Sequence, residues 1–148
     1  MNAKKIIHKT EKLLKKTSIY SEQYYLLLNG VFEPRHTDMR ENFEFTARGI
    51  RVYCFERGKL VFEGCASEAE AVFLAADSVI HQIALDIVIN DQKYFEVMPN
   101  GCKRLDYKAM DDIRNRAFEE IGGIYSEMCG NGFGMFRLKP WNNIGAEP

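Results

Sequence analysis

Hydrophobic and polar positions change their spacing several times along this chain, and each change marks an element. Between residues 3 and 16, Ile6, Ile7, Leu13 and Leu14 recur at helical spacing, with Lys4, Lys5, Lys9, Lys12, Lys15 and Lys16 largely elsewhere. This predicts an amphipathic helix whose apolar stripe lies on the core and whose lysines face water. From Glu41 to Gly64 the period shortens to two, and Arg48-Gly49 and Arg57-Gly58 punctuate the run. Alternation broken by short turn signals predicts a three-stranded antiparallel meander. If each Arg-Gly pair is a two-residue loop, Ala47 faces Ile50, Phe45 faces Val52 and Phe43 faces Cys54. The second loop then sets Glu56 against Lys59, Phe55 against Leu60, Cys54 against Val61 and Tyr53 against Phe62. One face carries Phe43, Phe45, Ala47, Ile50, Val52, Cys54 and Val61, and is the expected core face. The other carries Tyr53, Phe55, Leu60 and Phe62 beside Glu44, Thr46 and Arg51. An antiparallel sheet ordinarily has one wet face. An aromatic second face must therefore be covered by a helix, for which the lysine-rich segment is the candidate, or be offered to a partner.

Helical spacing returns after the meander. Ser67 followed by Glu70 is a capping-box signature, and it opens a helix predicted over 67–90. Val72, Ala76, Val79, Ile80, Ile83 and Ile87 form its inward stripe, and its most polar line is Glu70, Asp77 and His81. Residues 91 to 103 are turn-rich, with a short strand expected at Lys93 to Val97. A last helix is predicted over 106–128 from Met110, Ile113, Ala117, Ile121, Ile124 and Met128, weakened in its middle by Gly122-Gly123 and capped by Gly130. Between the first helix and the meander, the run Tyr24 to Leu28 fits either a strand or a buried helical turn. Arg35 to Arg40 has no apolar periodicity and is expected as an exposed loop. An irregular tail, 130–148, is expected to be pinned by Trp141. The whole describes an α+β fold in a single domain, 1–148: a three-stranded or slightly larger meander over 41–64, packed with an N-terminal helix and two long C-terminal helices.

Composition narrows the possibilities. A hydrophobic fraction of 46% with 28% charged residues is that of a globular chain, which argues against disorder. Cys54, Cys65, Cys102 and Cys129 include no C-x-x-C pair, so a zinc ribbon or thioredoxin-like site is not expected, and reduced thiols in a cytoplasmic protein are. The N-terminus is basic but has no apolar h-region of a signal peptide. The most apolar window, Ala69 to Ile89, is interrupted by Asp77, His81, Gln82 and Asp86, a density of polar groups that a membrane span does not tolerate. A net charge of −1 gives no basic footprint for nucleic acid.

No set of residues forms a recognisable catalytic site. His8, His36 and His81 stand apart from any nucleophile motif. Asp77 and His81, at i and i+4, are the one pair able to orient an imidazole or share a metal. They lack a third ligand at helical spacing. Asp111-Asp112 and Glu119-Glu120 are adjacent pairs, which a helix points about 100° apart. Gly130-Asn131-Gly132-Phe133-Gly134 follows a helix and lacks the Lys-Ser/Thr of a phosphate loop. The expectation is a non-enzyme without metal or cofactor. The alternative is a small enzyme or ligand-binding domain that uses Asp77 and His81 near an aromatic pocket. Charge points towards a protein partner: Leu60 through Gln92 contains no Lys or Arg but has Glu63, Glu68, Glu70, Asp77, Asp86 and Asp91. Such a field suits a basic partner, because complementary charge accelerates encounter. The expected contact residues are Tyr53, Glu56, Arg57, Glu63, Glu68, Glu70, Asp77 and His81.

Three segments carry a resemblance. Gly49-Ile50-Arg51-Val52-Tyr53-Cys54-Phe55-Glu56-Arg57-Gly58, then Ser67-Glu68-Ala69-Glu70-Ala71-Val72-Phe73, then Arg114-Asn115-Arg116-Ala117-Phe118 follow one another in an order that resembles bacterial immunity proteins of polymorphic toxin systems. The likeness, over roughly residues 45 to 128, is greatest to the sixty-third numbered immunity family. In that family a Glu-Arg-Gly hairpin precedes an acidic-capped apolar helix, and a second helix carries an Arg-x-x-x-Phe element. The resemblance implies a cytoplasmic antidote with no catalytic residues. It would bind a cognate toxin domain made by the same cell, often a nuclease, and block its active site or its access to substrate.

Overall fold

The computed structural model describes residues 2–143 and has an α+β architecture: five helices, a four-stranded antiparallel sheet and a separate two-stranded hairpin. Helix α1 (Ala3–Leu14) begins where the Asn2 side chain accepts the Lys5 N–H at 3.0 Å. The apolar run after it is helical, α2 (Tyr25–Val31), entered through a single tight turn at Glu22–Tyr24. Strands β1 (Asn42–Thr46), β2 (Gly49–Glu56) and β3 (Lys59–Ala66) form the meander, and helix α3 (Glu68–Ile89) follows. Next come the small hairpin β4 (Phe95–Val97) and β5 (Lys103–Leu105), α4 (Tyr107–Ile121), α5 (Gly123–Gly130) and a short β6 (Lys139–Pro140). Strand order in the main sheet is β1-β2-β3-β6.

The capping box opens α3 as its sequence predicts: the Glu70 N–H donates to Ser67 Oγ at 3.1 Å, and Glu70 Oε1 accepts the Ser67 N–H at 2.8 Å. Helix α3 is long and apolar enough, by composition, to cross a membrane, but here it is the centre of the core. Helices α1, α2 and α4 all pack on it, and its remaining side meets β2 and β3. Phe73 lies fully buried at the heart of this assembly, with its ring 4.9 Å from Phe118 of α4 and 5.5 Å from Phe133.

The meander keeps the alternation of β2 but neither its full register nor all of its predicted faces, and Ala47, expected on the core face, is exposed in the first turn. Its first loop is Ala47-Arg48, not Arg48-Gly49, so Thr46 faces Gly49, Phe45 faces Ile50 and Phe43 faces Val52. The Thr46 hydroxyl accepts the Arg48 N–H (3.1 Å) and donates to the Gly49 carbonyl (2.9 Å), which closes the turn one residue early. A displacement of two positions conserves side-chain alternation, and Phe43, Ile50, Val52 and Cys54 remain buried with Phe45 half-buried.

The second loop, Arg57-Gly58, is as predicted, with both residues in the left-handed region (φ 52° and 78°) and Phe55 facing Leu60. Asp38 Oδ1 accepts the Arg57 N–H at 2.9 Å and so supports a conformation unusual for arginine. Beyond Leu60 the pairing slips: Cys54 faces Phe62, Tyr53 faces Glu63 and Val52 faces Gly64. Val61 is the extra residue of a bulge. It is 47% exposed rather than part of the core face, Leu60, at 43%, is also exposed, and Phe62, expected on the outer face, is turned to face buried Cys54 and packs against the core. After the slip Gly64 faces Val52, and a Cβ there would meet Leu138 and the Phe62 ring at 2.9 Å. Only glycine lets the chain after α5 close over this strand.

The last predicted helix is two helices. Gly122 and Gly123 both take positive φ (71° and 61°), which no right-handed helix can continue, and α5 departs in a new direction. Ile124, expected in the buried stripe, is exposed as a result. In the tail, β6 pairs with Gly64 and Cys65 of β3, and Arg48 lies over the Trp141 ring at 5.5 Å. Residues 144–148 of the expected tail lie outside the described residues.

Candidate protein-interaction surface

The outer face of the meander gathers a set of partly exposed aromatic and cationic side chains. Tyr53 and Phe55 alternate with buried Val52 and Cys54 on β2, so both rings project away from α3. Their rings meet edge to face at 5.8 Å, and His36 stacks on the far side of Phe55 at 4.4 Å. The Arg51 guanidinium lies 4.0 Å from the centre of the Tyr53 ring, and Glu63 holds it there at 2.6 Å. Leu60 lies across from Phe55, and the bulged Val61 follows it.

The lysine-rich helix does not cover this face. It packs on α3 with Ile6, Thr10 and Leu14 buried, and its Lys5 and Lys9 pair with Glu68 of α3. The cover that does reach the sheet is the loop before β1. Asp38 makes a parallel bridge to Phe55, the Met39 N–H donates to the Phe55 carbonyl at 2.8 Å, and buried Asn42 accepts the Arg35 N–H at 2.7 Å. That loop leaves Met39, Leu60 and Val61 exposed and Tyr53 and Phe55 partly buried.

The residues expected at a partner contact fall into two groups. Tyr53, Glu56, Arg57 and Glu63 lie together on the outer face or at the tip of its second hairpin. Glu68, Glu70, Asp77 and His81 lie on α3, where three of the four already have internal partners. Glu68 pairs with Lys5 and Lys9, Glu70 closes the cap with Ser67, and both oxygens of Asp77 are taken by Arg114 of α4 at 2.6 and 3.1 Å. That last contact raises the Arg114 pKa above its ordinary value against the opposing effect of burial. Glu63 likewise belongs to Arg51. Glu63, Glu68 and Asp77 of the stretch that contains no basic residue of its own are thus matched by cations from β2, α1 and α4, which leaves less of its charge to attract a partner. His36, Met39 and Val61 were not foreseeable as members of the outer face. A loop without periodicity gives no sign of which strand it will lie along.

His81 is exposed at the rim of a cleft of about 370 Å³ lined by Glu41, Asp77, Ser78, Gln82, Asp111 and Arg114. No aromatic residue lines that cleft, and Asp77, held in a two-point contact with Arg114, is not available to orient the imidazole. Burial raises the Glu41 pKa, a backbone hydrogen bond opposes this, and nearby Asp77 adds to it. Among the described residues, no group of three or more His, Cys, Asp or Glu side chains is placed to hold a metal ion, and all four cysteines are free thiols. No protein-family model matches the chain, and comparisons with curated proteins and with solved structures likewise return no match. A reading of function therefore rests on the surface itself.

Proposed function

We propose that this chain is a protein-binding module that docks a partner on the outer face of its meander, and that the partner is a toxin domain which it neutralises in the cytoplasm. The open aromatic face carries this reading: its natural cover, α1, is engaged on α3, leaving Tyr53 and Phe55 flanked by Arg51, Arg57, Leu60 and Val61. Tyrosine and arginine are favoured at energetic centres of interfaces, and a ring already held by Arg51 and Phe55 loses little side-chain freedom on binding. Glu44, Glu56 and Glu63 give the surrounding rim the polar character such interfaces have. The resemblance to immunity proteins supplies the kind of partner. A catalytic or ligand-binding role for Asp77 and His81 has less support, because Asp77 is committed to Arg114. Co-expression with the toxin domain encoded beside its own gene tests the proposal. Growth restored in step with formation of an isolable complex is the expected result, and growth arrest with no complex would refute it.

A further inference from the structure

A second cleft, of about 340 Å³, opens between α2 and α3 next to the first, sharing Ser78 and Gln82 with it. Two arginines from the loop before β1, Arg35 and Arg40, reach into it. Their guanidinium groups converge on Gly30 of α2. Arg40 donates to the Gly30 carbonyl at 3.0 Å, and Arg35 Nη2 lies only 3.3 Å from where a Cβ on Gly30 would sit. Glycine at this position makes room for the second cation beside the first. Ser78 and Gln82, at i and i+4, present a hydroxyl and an amide from one face of α3, and Val31 and the 80%-exposed Leu26 supply an apolar wall.

This convergence sets two like charges side by side. The charge nearest to Arg35 is Glu33, at 3.7 Å in an exposed pair of little worth, and no ion pair holds Arg40 among the described residues. Burial lowers the Arg40 pKa and Arg35 lowers it further, with Glu41 and Glu33 opposing, so the strain on its charged form comes from burial and from Arg35. One anion between the two guanidiniums would relieve that strain and accept hydrogen bonds from both forks, an arrangement to which planar guanidinium groups are well matched. The volume is at the small end of ligand clefts.

We propose that this cleft binds the oxyanion group, carboxylate or phosphate, of a small organic ligand, with Arg35 and Arg40 clamping the anion, Ser78 and Gln82 completing its hydrogen bonds, and Leu26 and Val31 meeting its apolar part. The site is formed by α2, α3 and the Arg35–Arg40 loop and takes no residue from β2 or β3, so it is tested with the chain alone.

Titration of the full chain with inorganic phosphate in one arm and acetate in the other, followed by amide chemical shifts, is the test. Saturable shifts centred on Gly30, Ser78 and Gln82 in either arm support the site, and the arm with tighter binding identifies the headgroup. Arg35→Gln should weaken that binding by about tenfold or more, as expected for loss of a charge-assisted hydrogen bond. Arg35→Lys, which keeps the charge but not the fork, should recover only part of it. Arg35 is the better position to vary, because Arg40 also caps the end of α2. No saturable shift in either arm, or equal shifts in the wild-type chain and a folded Arg35→Gln variant, would overturn the proposal.

Discussion

The two faces of the meander are built from alternate residues of the same strands, yet only one is closed. On β2, Ile50, Val52 and Cys54 are buried against α3, while Arg51, Tyr53 and Phe55 between them stay partly in water. The difference does not lie in apolar content, since Tyr53, Phe55, Leu60 and Val61 are as suited to a core as their neighbours. It lies in where the helices go: α1, α2 and α4 are all drawn to α3, whose surface is apolar nearly all round. A helix that must be covered on every side uses up the available covers, and the sheet's second face is left to a loop and to solvent. Under the proposed function, this aromatic face that no helix covers is where the partner docks.

The largest expected effect is on the closed face. Ile50→Ala removes a fully enclosed side chain and should lower unfolding free energy by about 2–5 kcal/mol, measured by chemical denaturation. If truncating Ile50 were no worse than truncating Phe55, the distinction between the faces would fail. A smaller loss, about 1–3 kcal/mol, is expected for Asp77→Ala, which strands the partly buried Arg114 without its two-point partner. Affinity for the toxin partner should be unchanged in the folded fraction. A selective loss of binding would instead return α3 to the interface.

Smaller still is the effect of Glu41. Burial raises its pKa in the folded chain, so the folded state keeps that proton to higher pH than the unfolded state does. Stability is therefore lost as pH rises from the unfolded carboxyl range through the folded pKa, and the full penalty is present above it. Glu41→Gln should stabilise the protein at neutral pH and change little in acid, as read from melting temperatures across that range. A variant less stable at neutral pH would show that Glu41 has a favourable charged partner.

How much of this was legible in the sequence depended on how local the deciding contact was. The cap of α3 was readable because Ser67 and Glu70 satisfy each other within one turn. The alternation of the meander was readable for the same reason, and the two-position shift in the first hairpin still left Phe43, Phe45, Ile50, Val52 and Cys54 on one face, losing only Ala47 to the turn. The bulge at Val61 was not, and neither was the close approach to Gly64 of Leu138, from the far end of the chain. Nor was the neutralisation of the acidic stretch, since Glu68 finds its lysines on α1 and Asp77 its arginine on α4. Gly122-Gly123 was visible as a weak point, but only the positive φ of both residues turns weakness into a break. The open outer face could be posed in sequence as an alternative. Deciding it required knowing where α1 packs.

Tyr53→Ala, followed through both thermal unfolding and affinity for the purified toxin domain, tests the central claim most directly. With the outer face as the docking surface, the variant should lose less stability than Ile50→Ala, and its affinity should fall by about 2 kcal/mol or more, roughly thirtyfold, as for a central tyrosine. A large stability loss with undiminished affinity per folded molecule would place Tyr53 in the core and contradict the account.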